Sequence, residues 1–358
     1  MNNKILITSP SLNPEINISG ISSVTQLIIN SNPQNEYINF ELGKSDAGRR
    51  NFLWLLRIFK TYFEWFFLMF SKRYTLIHFN LALDKRALLR DSPLILMARL
   101  FSRRMVIHIH GGEALTNPNN PRWVIRLLKL NFSGRNPKIV LSKQEQATLQ
   151  NLLNINHVFV LPNCVEVSEA QNFNRESSGN HQLTLLFMGR IVLTKGIAYL
   201  FDALQVLKLK GVAFRFIMAG KGPDEALYVQ KFKDLLGSDF EFKGIVYGGS
   251  KSSLLKECDI FLLPSFFEGL PVSLLEAMSF ALVPVTTSVG SIKYLVEDGH
   301  NGLFVDKFSS NDIVAAIEKL NADRAYLETL SHNAQSFILA NYSPAVYVSE
   351  LKKIYNYE

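Results

Sequence analysis

At 358 residues the chain exceeds what one hydrophobic core usually serves, and its 47% apolar content lets it fill two. The net charge of +7 is unevenly held: residues 1–166 carry 20 Lys and Arg against 10 Asp and Glu, whereas residues 167–358 carry 18 against 21. Its two cysteines, Cys164 and Cys258, lie beside apolar runs without metal-ligand spacing, which excludes a disulfide scaffold and points to a reducing compartment.

The opening stretch, Met1 to Thr8, is too short in apolar residues for a signal peptide and reads as a first strand, the expectation being a cytoplasmic protein. Short apolar runs then alternate with helical stretches. Lys4–Thr8, Tyr37–Leu42, Thr75–Asn80, Met105–His110, Lys138–Leu141 and Val158–Leu161 read as strands of a parallel, doubly wound sheet. Ser19-Gly20-Ile21 precedes an apolar helix, so its N–H groups can face a phosphate; a plain helix entry fits equally well.

Residues 52–70 hold three charges, Arg57, Lys60 and Glu64, at near-helical spacing in an otherwise apolar run. That pattern disfavours a spanning helix and suits one lying in a membrane interface, or one packed on its own sheet with an outer face to lipid. Basic pairs at Arg49-Arg50, Lys72-Arg73, Lys85-Arg86 and Arg103-Arg104 add a cationic face. No nucleic-acid signature accompanies them, so peripheral contact with an anionic membrane is expected, and no nucleic acid. In His108-Ile109-His110-Gly111-Gly112-Glu113 the two histidines share one strand face. Without a third ligand they make a poor metal pair, and His110 reads as a hydrogen-bond partner for a sugar hydroxyl.

A polar stretch, Ser168–Gln182, reads as the linker, after which the pattern restarts with Leu183–Met188, Phe214–Ala219, Phe240–Phe242, Ile260–Leu263, Val283–Thr286 and Leu303–Val305. The fold class expected is therefore α/β, with two Rossmann-like doubly wound domains, 1–167 and 168–344, facing across a cleft at their strand carboxyl ends.

The second half carries the chemistry. Gly189-Arg190 closes a strand and Lys195-Gly196 opens the next helix, a pair of cations suited to a departing diphosphate. Met218-Ala-Gly220-Lys-Gly222-Pro-Asp224 ends the following strand with glycines where a loop passes close to a ligand. Beyond the strand Asp259–Pro264, the segment Glu268-Gly269-Leu270-Pro271-Val-Ser-Leu-Leu-Glu276 sets two carboxylates eight positions apart across a loop-to-helix junction. Pro271 suits the first helical position, and the N–H groups near Gly269 and Leu270 can hold an anion. Glu276 can bind adjacent hydroxyls of a ribose and Glu268 those of a hexose; two ordinary surface glutamates are the plain alternative.

Together these stretches resemble the family 4 glycosyltransferases of the GT-B fold along nearly the whole chain. Phe187-Met-Gly189-Arg190, Lys195-Gly196, Ala219-Gly220-Lys-Gly222-Pro, Glu268 to Met278 and Asp298-Gly-His-Asn-Gly302-Leu fall in that family's order, with Leu141-Ser-Lys143 and Leu161-Pro-Asn163 as weaker landmarks. The resemblance implies that Arg190 and Lys195 bind a donor diphosphate, Glu276 the ribose, Glu268 the transferred sugar and Gly20 the phosphate from the other domain, with His110 near the sugar. It also implies a last helix, 345–358, crossing back to the first domain. Transfer of a hexose or N-acetylhexosamine with retention, without a metal, onto a lipid-linked saccharide is the activity implied. The sequence contains no Asp-x-Asp triplet, in agreement. No cofactor is implied beyond the nucleoside diphosphate sugar itself, UDP in preference to GDP. The pattern departs at Ala281, where the family often has glycine, and in Gly290-Ser-Ile-Lys293, which puts the donor sugar in doubt. A nucleotide-sugar epimerase or a non-catalytic sugar-nucleotide-binding subunit would share the architecture.

Overall fold

The computed structural model describes residues 3–13, 16, 17, 19–43, 52–71, 73–116, 119–175 and 182–357. Arg49, Arg50 and Lys72 of the expected basic pairs lie outside these residues. The chain forms two compact units, Met1–Cys164 with Pro344–Glu358, and Val165–Ser343.

In the first unit the strands β1 (Lys4–Ser9), β2 (Glu36–Glu41), β3 (Leu76–Leu81), β4 (Met105–Ile109), β5 (Lys138–Val140) and β6 (Val158–Val160) pair in parallel in the order β2-β1-β3-β4-β5-β6. Side-chain alternation divides β3 and β4 between two chemistries. Ile77, Phe79, Ile107 and Ile109 join the apolar core with the helices Phe52–Phe70, Lys85–Leu100 and Arg122–Phe132. On the opposite face stand His78, Asn80 and His108, of which the first two meet polar groups of the helices Gly20–Ser31 and Pro344–Tyr355: Asn80 reaches Thr25, and His78 reaches Tyr355 at 2.6 Å. The last helix thus belongs to the first unit, held by buried Tyr347, Leu351 and Tyr355.

The helix Phe52–Phe70 has two distinct sides. Inward, Trp65 is fully buried, meets Phe40 and Phe79 edge-on at 5.0 and 5.8 Å, and donates its indole N–H to Leu94 O at 3.0 Å. Outward, Phe59 and Phe63 remain 68% and 66% exposed, with Phe67 and Phe70 beside them and Arg57, Lys60 and Glu64 also in solvent. Among the described residues no helix is long and apolar enough to cross a membrane.

In the second unit β7 (Leu183–Met188), β8 (Phe214–Ala219), β9 (Phe240–Gly244), β10 (Ile260–Leu263), β11 (Val283–Thr287) and β12 (Leu303–Val305) form a parallel sheet ordered β12-β11-β10-β7-β8-β9. The polar stretch read as a linker begins inside this unit. Hydrogen bonds tie it there in both directions: Gln335 Nε2 donates to its carbonyls at Ala170 and Phe173, and its Arg175 guanidinium donates to the carbonyls of Leu255, Phe280 and Ala281. The unit boundary consequently falls at Cys164/Val165, three residues before the one expected. Ala281 adopts a left-handed φ of +63°, a conformation glycine takes without a Cβ penalty.

Candidate functional site

Chain connections leave β7 and β10 in opposite directions, so their adjacent carboxyl ends form the switch point where open parallel sheets take ligands. Gly189-Arg190 follows β7, and the loop from Pro264 to Pro271 follows β10. The two are drawn together by Gly196, whose φ is +75° and whose missing Cβ would lie 2.0 Å from Pro264 O. Phe266 N–H also bonds Thr194 O at 2.9 Å. This approach places Lys195 Nζ 2.6 Å from Glu268 Oε1, and Ser265 Oγ donates to the same oxygen at 2.7 Å. Lys195 and Glu268, expected as separate contacts to phosphate and sugar, here form one ion pair. Glu268 is buried, and a buried carboxylate is costly without a cation and a hydrogen-bond donor.

The second carboxylate is paired too. Glu276 Oε1 bonds Lys251 Nζ at 2.6 Å, Lys251 standing on the helix Gly248–Glu257 that follows β9. Pro271 is the capping residue and not the first helical one, because its extended ψ of 120° starts the helix at Val272. Leu270 is buried, and Gly269 O accepts from Ser291 N–H at 3.0 Å. Gly290 allows that contact, since a Cβ there would sit 1.9 Å from Glu268 O.

The glycines after β8 act otherwise than expected. A Cβ on Gly220 would lie 1.9 Å from Gly189 O, and one on Gly222 would lie 1.9 Å from Ile191 O. Their bare faces are filled by the loop after β7 and are not left open for a ligand. Gly189 itself faces open space, and Arg190 beside it is exposed with no ion-pair partner among the described residues. The switch point therefore presents one unengaged guanidinium next to an ammonium, two carboxylates and an open glycine.

In the first unit Gly20 opens the helix Gly20–Ser31, and Ser19 Oγ caps it by accepting from Ser22 N–H at 3.1 Å. His110 follows the carboxyl end of β4, partly exposed, with Nε2 2.7 Å from Asn80 Oδ1 and its ring 4.0 Å from that of His108. His108 Nδ1 in turn lies 3.1 Å from His78 Nε2, so the histidines bond one another or Asn80 and do not converge on one point. Desolvation, with His78 adding, pushes His110 down to about 3, and burial takes His78 to the same value. His108 is lowered as well, by burial first and then by both neighbours.

Sequence reasoning missed Ser265, Lys251 and Asn80. Asn80 and His78 did leave a signal, a polar pair alternating in an apolar strand just as His108 and His110 do.

Residues 168–337 match the family model described as glycosyl transferases group 1. Among curated relatives, the alpha-D-kanosaminyltransferase of Streptomyces kanamyceticus is 28% identical over 176 residues, 48% of this chain and 45% of that protein. The capsular polysaccharide biosynthesis glycosyltransferase CapM of Staphylococcus aureus is 25% identical over 177 residues, 49% of this chain and 47% of its own. The matching stretch thus spans about half the length of these relatives. Solved structures extend the likeness in fold to nearly the whole chain. The sucrose-phosphate synthase of Thermosynechococcus elongatus superposes with a TM-score of 0.79 at 16% identity, covering 99% of this chain and 98% of that one. Anabaena HepE in complex with UDP-glucose gives 0.74 at 18% identity, covering 98% and 99%. Both units are Rossmann-like, and the C-terminal unit carries the match to the group 1 glycosyl transferases.

Proposed function

We propose that this protein is a retaining, metal-independent glycosyltransferase that moves a hexose or N-acetylhexosamine from a nucleoside diphosphate sugar to an acceptor hydroxyl. The observation that carries the reading is the switch-point cluster: unengaged Arg190 and open Gly189 beside the Lys195–Glu268–Ser265 group and the Lys251–Glu276 pair. In this reading the diphosphate leaves toward Arg190 and Lys195, whose charges count for more as negative charge grows on it than in the ground state. Glu268, one oxygen of which already holds two donors, orients hydroxyls of the sugar, and Glu276 those of the ribose. The acceptor attacks from the face the diphosphate departs and passes its proton to a phosphate oxygen, so no enzymic nucleophile is needed. In the first unit His110 serves the sugar and Gly20, at a helix start, the phosphate.

The complex of HepE with UDP-glucose supports a uridine donor, and the naming of CapM for capsular polysaccharide biosynthesis supports a saccharide acceptor. The proposal extends to a lipid-linked saccharide acceptor in bacterial surface polysaccharide synthesis, reached at the membrane through the exposed aromatic face of the helix Phe52–Phe70.

Arg190→Ala gives the cleanest test, because it breaks no ion pair among the described residues. The variant should melt like the wild type and lose about a hundredfold in transfer from UDP-sugars, the scale expected when one charge-stabilising donor is removed. UDP at a hundred times its dissociation constant should stabilise the wild type by about 2.7 kcal/mol. Near-normal transfer by the variant, or conversion of the donor sugar without acceptor as an epimerase would perform, contradicts the assignment.

A further inference from the structure

The hydrogen bonds around Asn80 fix which nitrogen of His110 carries the proton. Asn80 Nδ2 donates to Thr8 O at 2.7 Å and lies 3.1 Å from Thr25 Oγ1. The hydrogen of that hydroxyl is already given to Ile21 O at 2.7 Å. Both partners are therefore acceptors, and only the NH2 end of the amide can satisfy them. The carbonyl oxygen, Oδ1, is then the atom 2.7 Å from His110 Nε2, and a carbonyl oxygen only accepts. His110 must be the donor through Nε2–H. Asn80 is itself held in place, its backbone N–H bonding Thr8 Oγ1 at 2.9 Å and its residue only 7% exposed. A neutral imidazole protonated at Nε2 carries a lone pair at Nδ1. His110 is partly exposed, and among the described residues its Nδ1 has no hydrogen-bond partner. The titratable groups against the ring are His108, tilted 34° to it at 4.0 Å, and His78 beyond.

We infer that Asn80 is a positioning residue that holds His110 as a neutral hydrogen-bond acceptor, so that Nδ1 receives a hydroxyl of the sugar and disfavours phosphate oxygens. The identity of the ligand rests on the glycosyltransferase reading; the tautomer does not. A positioned acceptor of this kind selects for ligands that offer an O–H at that point, and a phosphate, which offers only acceptor oxygens, meets lone pair with lone pair.

Long-range proton–nitrogen correlation spectra of protein labelled with nitrogen-15 histidine read the tautomer directly, with His110→Gln assigning the signal. The expected result is an Nε2–H imidazole for His110 that keeps this form from pH 6 to 8. Asn80→Leu removes the acceptor at similar size and should mix the tautomers. It should also cut kcat for transfer from UDP-glucose about tenfold while leaving inhibition by UDP unchanged. An Nδ1–H ring in the wild type overturns the inference even if Asn80→Leu fails to fold, and so does a folded Asn80→Leu protein with unaltered turnover. Wild-type protein that shows the Nε2–H signal yet transfers sugar from no donor keeps the tautomer and removes the glycosyltransferase reading instead.

Discussion

A Cβ placed on Gly189 meets open space, whereas one on Gly220, where φ is +128°, lands 1.9 Å from the Gly189 carbonyl oxygen. Gly220→Ala should accordingly cost ~3 kcal/mol or more, since backbone strain and a clash with a main-chain atom add. Gly189→Ala should keep the melting temperature and weaken binding of UDP-sugars. Thermal melts with and without UDP-glucose check both, and an equal loss of stability in the two variants would contradict the division of roles. Sequence alone marks both as glycines ending strands, because it cannot show whether the atom that approaches belongs to a ligand or to the chain. The same limit hid Ser265 and Lys251. Lys251 lies 25 residues from Glu276, and only the sheet order brings them together.

The strands were legible almost residue by residue. A parallel strand covered on both faces must be apolar at nearly every position, so Leu183–Met188 and Phe214–Ala219 stand out as apolar runs broken only by Thr184 and Arg215. Helix faces were less so, and Phe52–Phe70 shows why: the sequence supplies more apolar residues than one buried stripe requires and cannot say which are surplus. The structure separates them. Trp65→Ala should cost about 3–5 kcal/mol, from the lost volume and the indole bond to Leu94. Replacing Phe59, Phe63 and Phe67 together with Ser should leave the melt nearly unchanged and abolish sedimentation with anionic vesicles at low salt. Wild-type protein that stays in the supernatant with such vesicles removes the membrane proposal.

For the molecule as a whole, the three desolvated histidines around Asn80 set the response to acid. His78 and His110 are depressed to about 3, and His108 is depressed too, from an unfolded value near 6.5. A depressed value means the folded state resists protonation, so this contribution is full above pH 6.5 and is lost as pH falls toward 3. Glu145 opposes it. Burial raises its carboxyl to about 7, against hydrogen bonds from Leu141 and Ser142, so that stability falls as pH rises from about 4.5 to 7. Asp91, also raised by burial, acts in the same sense as Glu145; the three histidines outweigh the two carboxyls, and the melting temperature should climb between pH 4 and 6.5. Glu145→Gln should steepen the climb, and a melting temperature that instead fell over this range would contradict the account.

The placement of the helix Pro344–Tyr355 on the first unit also has a consequence for biosynthesis. His78 and the helix Gly20–Ser31 wait for partners made some 250 residues and more after them, by which time every strand of the second sheet has left the ribosome. The half translated first is thus the half completed last. A chain ending at Ser343 would hold a finished second unit and a first whose polar face lacks its last helix, a difference that hydrogen exchange would register as loss of protection in β3 and the helix Gly20–Ser31 but not in the second sheet.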